Sequence, residues 1–145
     1  MIEALEAALE DLAGTDPAAL GDAEAVERLH ACLTRLDAVL TRATAAFDAS
    51  GAWRASGARS AAAWVAARGG GPAVAARRRV SLGRALRRLP VAEEAWLAGR
   101  IGAAHVSVLE RARTPATEAA LARDEALLVG QAEALGFRHF TNAVA

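Results

Sequence analysis

Apolar residues in the N-terminal third of the chain recur at alternating steps of three and four, which is the spacing of one helix face. The first stripe consists of Ile2, Leu5, Leu9 and Leu12. The second stripe consists of Val26, Leu29, Leu33, Leu36, Leu40, Ala43 and Phe47. Three heptads of this kind are typical of a coiled-coil-like seam. We therefore predict a short first helix and a second helix over about residues 23–49, folded as an antiparallel hairpin, although the second stripe could also contact a second subunit.

Glycine and proline divide the rest of the chain into shorter helices. Gly51 ends the second helix, residues 52–57 indicate a loop, and a short helix begins at Ser56 or Ser60 and ends at Arg68. Three glycines and a proline follow as a firm break, because glycine favours a helix C-terminus and proline favours the first turn of the next helix. Later helices are predicted over about residues 72–89, 91–98, 103–113 and 115–136, with a last one beginning at Phe137.

The composition agrees with an all-α fold. Alanine, the strongest helix former, occupies 41 of the 145 positions, whereas tyrosine is absent and aromatic residues make up 4%. Strands favour aromatic and β-branched residues. We therefore predict a long N-terminal helical hairpin and a bundle of shorter helices with helix-turn-helix-like elements. The length suits a single helical domain over 1–145, divided into an acidic hairpin at 1–50, a basic helix-turn-helix-like region at 51–113 and C-terminal helices at 114–145.

Membrane and secreted proteins are disfavoured by the sequence. No apolar stretch approaches the roughly 18 residues that a membrane span needs, and the N-terminus is acidic where a signal peptide is basic. Cys32 is the single cysteine and has no intramolecular partner for a disulfide. We expect a cytoplasmic protein that does not contact membranes.

The net charge of zero conceals a strong asymmetry along the chain. Residues 1–48 carry ten acids and three arginines, and residues 93–145 carry seven acids and five arginines. Residues 49–92 carry nine arginines and no acid. The chain contains no lysine, so all 17 basic side chains are guanidinium groups. A middle segment with a charge of +9 in a neutral chain is the feature that most needs a functional reason.

The residues that hold metals or attack substrates are scattered. His30, His105 and His139 lie far apart, and Cys32 is two residues from His30, which places these two on different faces of a helix. Zinc needs about four converging ligands. We predict no metal site and no cofactor.

Two pairs of adjacent acids and a glycine run also lack a catalytic pattern. Glu93–Glu94 and Asp124–Glu125 are typical of solvated helix surface or of first-turn acids that the helix dipole favours. Residues 69–71 follow no predicted strand and precede no lysine, so they are not a phosphate-binding loop. We predict no catalytic residue in this chain.

Arginines in the middle segment indicate a surface for phosphate groups. Arg77, Arg84 and Arg88 are separated by seven and four residues, so they share one helix face. Guanidinium groups suit bidentate phosphate contacts, and counterion release from DNA gives affinity that falls steeply with salt. The candidate nucleic-acid-binding residues are Arg59, Arg68, Arg77, Arg78, Arg84, Arg87 and Arg88. The same charge is compatible with packing against the acidic N-terminal residues or a partner protein, so both interpretations stay open.

Two motifs carry a family resemblance. The run AFDASGAWR at 46–54 and the run GARSAAAW at 57–64 resemble the bacterial domain-of-unknown-function family numbered 222. The similarity continues over about residues 25–145, through Ala76–Val80, Leu86–Pro90, Ala98–Ile101, His105, Phe140 and Val144. The resemblance implies a helical domain that heads proteins ending in an HNH endonuclease module, and it transfers no functional residue.

The chain departs from the pattern of that family in three places. Gly71–Val74 replaces an expected Ser-Pro-x-Glu helix start, and Gly102 replaces a Ser or Thr helix cap. The chain stops at Ala145, and we expect it to be truncated before any nuclease module.

We therefore expect a non-catalytic DNA-binding or accessory module of an HNH-endonuclease-like protein, with double-stranded DNA as its partner. The alternative is a structural or oligomerisation module that forms a homodimer through the stripe at 26–47 and does not contact nucleic acid. A third interpretation is a free-standing regulator that remains after loss of the nuclease part.

Overall fold

The computed structural model describes all 145 residues, and its only regular secondary structure is helical. The all-α prediction is confirmed. The α-helices are α1 (Ile2–Ala13), α2 (Ala23–Ser50), α3 (Ala61–Gly69), α4 (Ala73–Leu86), α5 (Pro90–Leu97), α6 (Ala103–Ala112), α7 (Glu118–Ala134) and α8 (Phe137–Val144), and 3-10 helices span Pro17–Leu20 and Ala52–Ser56. None of these helices combines the length and the apolar character that crossing a membrane requires.

The chain divides into two compact units, Met1–Leu33 and Thr34–Ala145, which we call the N-terminal unit and the C-terminal unit. Helix α2 begins in the first and ends in the second. The N-terminal unit contains no buried residue. The helical spacing of both apolar stripes is confirmed, but their large side chains within this unit are exposed.

The helix starts show which local signals operate. The side chain of Asp22 accepts a hydrogen bond from the N–H of Ala25, as a residue before a helix is expected to do. Of the two serines that could begin α3, Ser60 is the one used, because its hydroxyl accepts a hydrogen bond from the N–H of Ala63. Pro90 occupies the first turn of α5, where its missing N–H costs nothing.

The structure corrects a predicted loop and the predicted start of α7, and α4 ends at Leu86, three residues before the predicted end. The segment expected to be a loop forms the 3-10 helix Ala52–Ser56. Helix α7 begins at Glu118, three residues after the predicted start at Pro115. The reason is a closed turn, in which the hydroxyl of Thr117 donates to the carbonyl of Ala112 at 2.6 Å and accepts from the N–H of Thr114 at 2.9 Å.

The core of the C-terminal unit is formed by side chains of α2 and of α4 to α8, together with Leu89 before α5 and Ile101 between α5 and α6. Its largest fully buried apolar side chains are Trp96, Phe140, Leu89, Leu109 and Val106. A large aliphatic or aromatic side chain of this kind stabilises the fold by about 1.5–3 kcal/mol when it is removed from water.

Within this unit, α2 packs through small residues and not through its leucine stripe. Ala38, Thr41 and Ala45 are buried, while Leu36 and Leu40 are exposed. The small residues of α2 are the buried ones because α4 approaches this side of α2 closely.

Gly83 makes that close approach possible. A Cβ atom at Gly83 would lie 2.7 Å from the Cβ of Ala45 and 2.9 Å from the carbonyl oxygen of Thr41. Both distances are shorter than non-bonded contacts allow.

Polar contacts also join α2 to α5. The Nε of Arg35 donates to the carbonyl of Leu97 at 3.2 Å, and Arg42 and Glu93 form an ion pair at 2.7 Å.

Candidate nucleic-acid interface

The predicted arginine surface is divided by the fold into parts with different surroundings. Arg84 makes two hydrogen bonds with Asp48 of α2, at 2.9 and 3.1 Å. The hydrogen bonds, and then the charge of the carboxylate, raise the pKa of Arg84 above its ordinary value. Arg79, five residues earlier, pairs with Asp37 and donates to the hydroxyl of Thr41 at 2.9 Å. Both arginines therefore join α4 to α2.

The last two candidates of this segment, Arg87 and Arg88, also have protein partners. Arg87 donates to the carbonyl of Ala45 at 3.4 Å. Arg88 forms an ion pair with Glu118 at 3.5 Å. The side chains of Arg84 and Arg88 remain 62% and 60% exposed, so their outer edges stay accessible to solvent.

The other end of α4 has a different environment. A groove between α4 and α6, which we call the α4–α6 groove, is lined by Val74, Arg77, Arg78, Ser81, Leu82, Ser107, Glu110 and Arg111. No ion pair involves its three arginines. Arg78 is oriented by a hydrogen bond from its Nη2 to the hydroxyl of Ser107 at 3.1 Å. The groove thus collects three guanidinium groups and two hydroxyl groups around one carboxylate.

Arg111 and the two serines were missed by the sequence-based prediction. Arg111 lies 34 residues after Arg77, so only the packing of α6 against α4 brings the two together. The sequence of α6 did indicate a polar face, because Ser107 and Arg111 are four residues apart and must lie on the same side of the helix.

The remaining candidates, Arg59 and Arg68, do not line the α4–α6 groove. The guanidinium of Arg68 lies over the ring of Trp64, 4.3 Å from its centre, and Trp64 in turn packs on Phe47. This is the geometry of a cation–π contact. Arg59 is exposed. The structure therefore brings Arg77 and Arg78 together with Arg111, and it places the other candidates elsewhere on the C-terminal unit.

His105 has a structural position at the start of α6. Its Nδ1 accepts a hydrogen bond from the N–H of Gly102 at 3.0 Å, and its ring contacts Phe137 and Phe140 with 5.4 Å between ring centres. Burial lowers the pKa of His105 below its ordinary value. The imidazole therefore takes the role that Glu or Gln has in a capping box, while Gly102 supplies no side-chain cap.

One acidic pair was interpreted wrongly as solvated surface. Glu125 is buried, with 4% of its surface exposed, and its carboxylate accepts a hydrogen bond from the N–H of Ala92 at 2.9 Å. Ala92 lies in the first turn of α5, whose N–H groups have no partner within the helix. Glu125 thus caps α5 from a different helix. Its neighbour Asp124 pairs with Arg123 at the surface.

No three histidine, cysteine, aspartate or glutamate side chains lie close enough together to hold a metal ion.

The family model described as a domain of unknown function (DUF222) matches residues 23–144. The chain belongs to this family. The match covers both motifs that carry the resemblance, and it begins at the first residue of α2. Neither a curated protein nor a solved structure matches the chain.

Proposed function

We propose that this DUF222 chain is a non-catalytic nucleic-acid-binding or accessory module of a bacterial HNH-endonuclease-like protein, and that the α4–α6 groove contacts the phosphates of double-stranded DNA. The observation that carries the proposal is the cluster of Arg77, Arg78 and Arg111, which has no ion pair within the protein. The family match covers residues 23–144, and the association with a nuclease is what the resemblance to that family implies.

The groove has the chemistry that a phosphate contact needs. Guanidinium groups without a carboxylate partner are free to form the charge-assisted hydrogen bonds that phosphate oxygens accept. The hydrogen bond from Arg78 to Ser107 holds one guanidinium in place before a ligand arrives, which lowers the entropy lost on binding. Arg84 and Arg88 do not line the groove, but their outer edges are exposed elsewhere on the C-terminal unit.

The affinity of such phosphate contacts falls as the salt concentration rises. Three neutralised phosphates give a slope of about −2.7 for the logarithm of the affinity against the logarithm of the salt concentration. Because contacts to phosphates carry no sequence information, we expect similar affinity for duplexes of unrelated sequence.

The test is a titration of fluorescently labelled duplex DNA at two salt concentrations. We expect the double variant Arg77→Glu, Arg111→Glu to lose most of the low-salt affinity and to reduce the salt slope by about 2. The matched control is Arg28→Glu, Arg138→Glu, which changes the total charge equally at exposed positions outside the groove, where the only ion pair lost is a solvent-exposed one between Arg28 and Glu24 at 3.9 Å. Arg84 is unsuitable for this comparison, since its replacement also breaks the contact with Asp48.

Absence of binding by the unmodified chain at low salt would contradict the proposal. An equal loss of affinity in both double variants would attribute binding to net charge and would remove the groove from it.

A further inference from the structure

The N-terminal unit exposes apolar side chains along its whole length. Apart from Met1 and the half-buried Leu20, its large apolar residues are between 38% and 69% exposed, and they are Ile2, Leu5, Leu9, Leu12, Val26, Leu29 and Leu33. Short helices are marginal in water, because most helical stability in proteins comes from the packing of an apolar face. The unit therefore lacks the burial that would stabilise its helices.

We propose that this apolar face binds the same face of a second copy of the chain, so that two N-terminal units form a four-helix bundle around a two-fold axis. The proposal is independent of nucleic-acid binding by the α4–α6 groove. Seven large side chains at roughly half exposure offer on the order of 600 Å² of apolar surface, which is most of the about 800 Å² that each partner buries in an ordinary interface.

The width of the apolar face favours a bundle over a simple pair of helices. A helix in a bundle contacts two neighbours and needs a face of about three positions in seven, whereas a two-stranded seam needs two. In α2 the stripe is flanked on one side by Ala25 and Cys32, which are small and widen the face. In α1 the corresponding flanking positions include Ala8 and Ala13.

The placement of the charges favours a second copy over a basic partner. In helical pairs, charged residues directly beside the seam select the partner. Here only Glu6 occupies such a position, while most of the other acids of these helices, such as Glu3, Glu10 and Glu27, lie farther around the helices. Two copies would therefore meet through apolar and small side chains, and most of their acidic surfaces would remain in water.

The test measures the mass of the full chain by light scattering after gel filtration. We expect the unmodified chain to have twice its monomer mass of 14.9 kDa. The variant Leu33→Asp should halve the observed mass and keep the helical circular dichroism of the C-terminal unit, since a charge would be placed in the bundle. The matched control is Leu127→Asp on α7, because Leu127 is 63% exposed and Leu33 is 65% exposed. This control should remain a dimer.

A monomer at high micromolar concentration would overturn the proposal, and so would a dimer with the same mass in Leu33→Asp as in the unmodified chain. If Leu33→Asp fails to fold, Leu9→Asp serves the same comparison, because α1 contains no buried residue whose packing could be lost. A chain that is monomeric alone and binds a basic helical peptide would assign the face to a basic partner and would equally overturn the second copy.

Discussion

The ring of His105 combines partial burial with a hydrogen bond that only the unprotonated Nδ1 can accept. The N–H of Gly102 donates to this nitrogen, and the phenyl rings of Phe137 and Phe140 cover the imidazole. Protonation would place a second N–H against that of Gly102, and the charge would be poorly hydrated. His105 therefore stabilises the start of α6 in its neutral form.

We therefore predict that protonation of His105 at acidic pH destabilises the folded chain. Burial lowers the folded-state pKa below the unfolded value of about 6.5, so the unfolded chain binds the proton more tightly. The stabilisation of the folded chain by neutral His105 is complete above about pH 6.5, and it is lost as the pH falls through the folded-state pKa. Urea unfolding between pH 7 and pH 5 measures it, and His105→Gln, which keeps an acceptor for Gly102, should show a smaller pH dependence.

The control for this prediction is His139→Gln, because His139 is exposed on α8. It should retain the pH dependence of the unmodified chain. An identical pH dependence in His105→Gln and in the unmodified chain would contradict the role of His105.

Asp124 and Glu125 show that the sequence alone does not predict which of two adjacent carboxylates is buried. Asp124 and Glu125 are indistinguishable by composition, and both were assigned to the surface. Successive residues of a helix point about 100° apart, so the orientation of α7 decides which carboxylate enters the protein. Only the packing of α7 near the start of α5 identifies Glu125 as the buried one and Ala92 as its partner.

Among the helices, the spacing of α2 predicted its existence and its length, but not the face that it buries in the C-terminal unit. The leucine stripe has the larger transfer free energy, and we expected it to pack on the first helix or on a second subunit. The structure instead buries Ala38, Thr41 and Ala45, since these small residues let α4 approach closely. A glycine in the middle of a predicted helix was the available signal, because Gly83 costs helix stability and needs a packing reason.

Gly83→Ala should therefore destabilise the chain although alanine is the better helix former. Helix propensity alone favours the change by about 1 kcal/mol. The added methyl group would overlap with Ala45 and Thr41, and overpacking typically costs about 1–3 kcal/mol. We expect a net loss of roughly 1 kcal/mol in the free energy of unfolding, measured with urea.

Gly130→Ala in α7 is the matched control for this substitution. A Cβ atom at Gly130 meets nothing within 4 Å, so this variant should gain up to about 1 kcal/mol. Equal stabilisation by both substitutions would show that α2 and α4 do not require the close approach at Gly83.

At the scale of the whole molecule, only some of the acids in the N-terminal third form ion pairs with arginines of the basic middle third. Asp37 and Asp48 lie in the C-terminal unit and bind Arg79 and Arg84. The other eight acids of residues 1–48 lie in the N-terminal unit, where Arg28 is the single arginine. The charge pattern along the sequence showed the asymmetry, but which acids pair with which arginines depends on helix packing.

The two units should also differ in stability, and hydrogen exchange of the Leu33→Asp variant would show it. Without a second copy, α1 has no buried residue, so its amides should exchange through local opening that costs little free energy. Amides beside Trp96 and Leu109 should exchange only through global unfolding, because these side chains are completely buried. The unmodified chain should protect α1 more strongly as its concentration rises, since association stabilises the folded form by mass action. Equal and concentration-independent protection of α1 in both proteins would show that the N-terminal helices are stabilised within one chain.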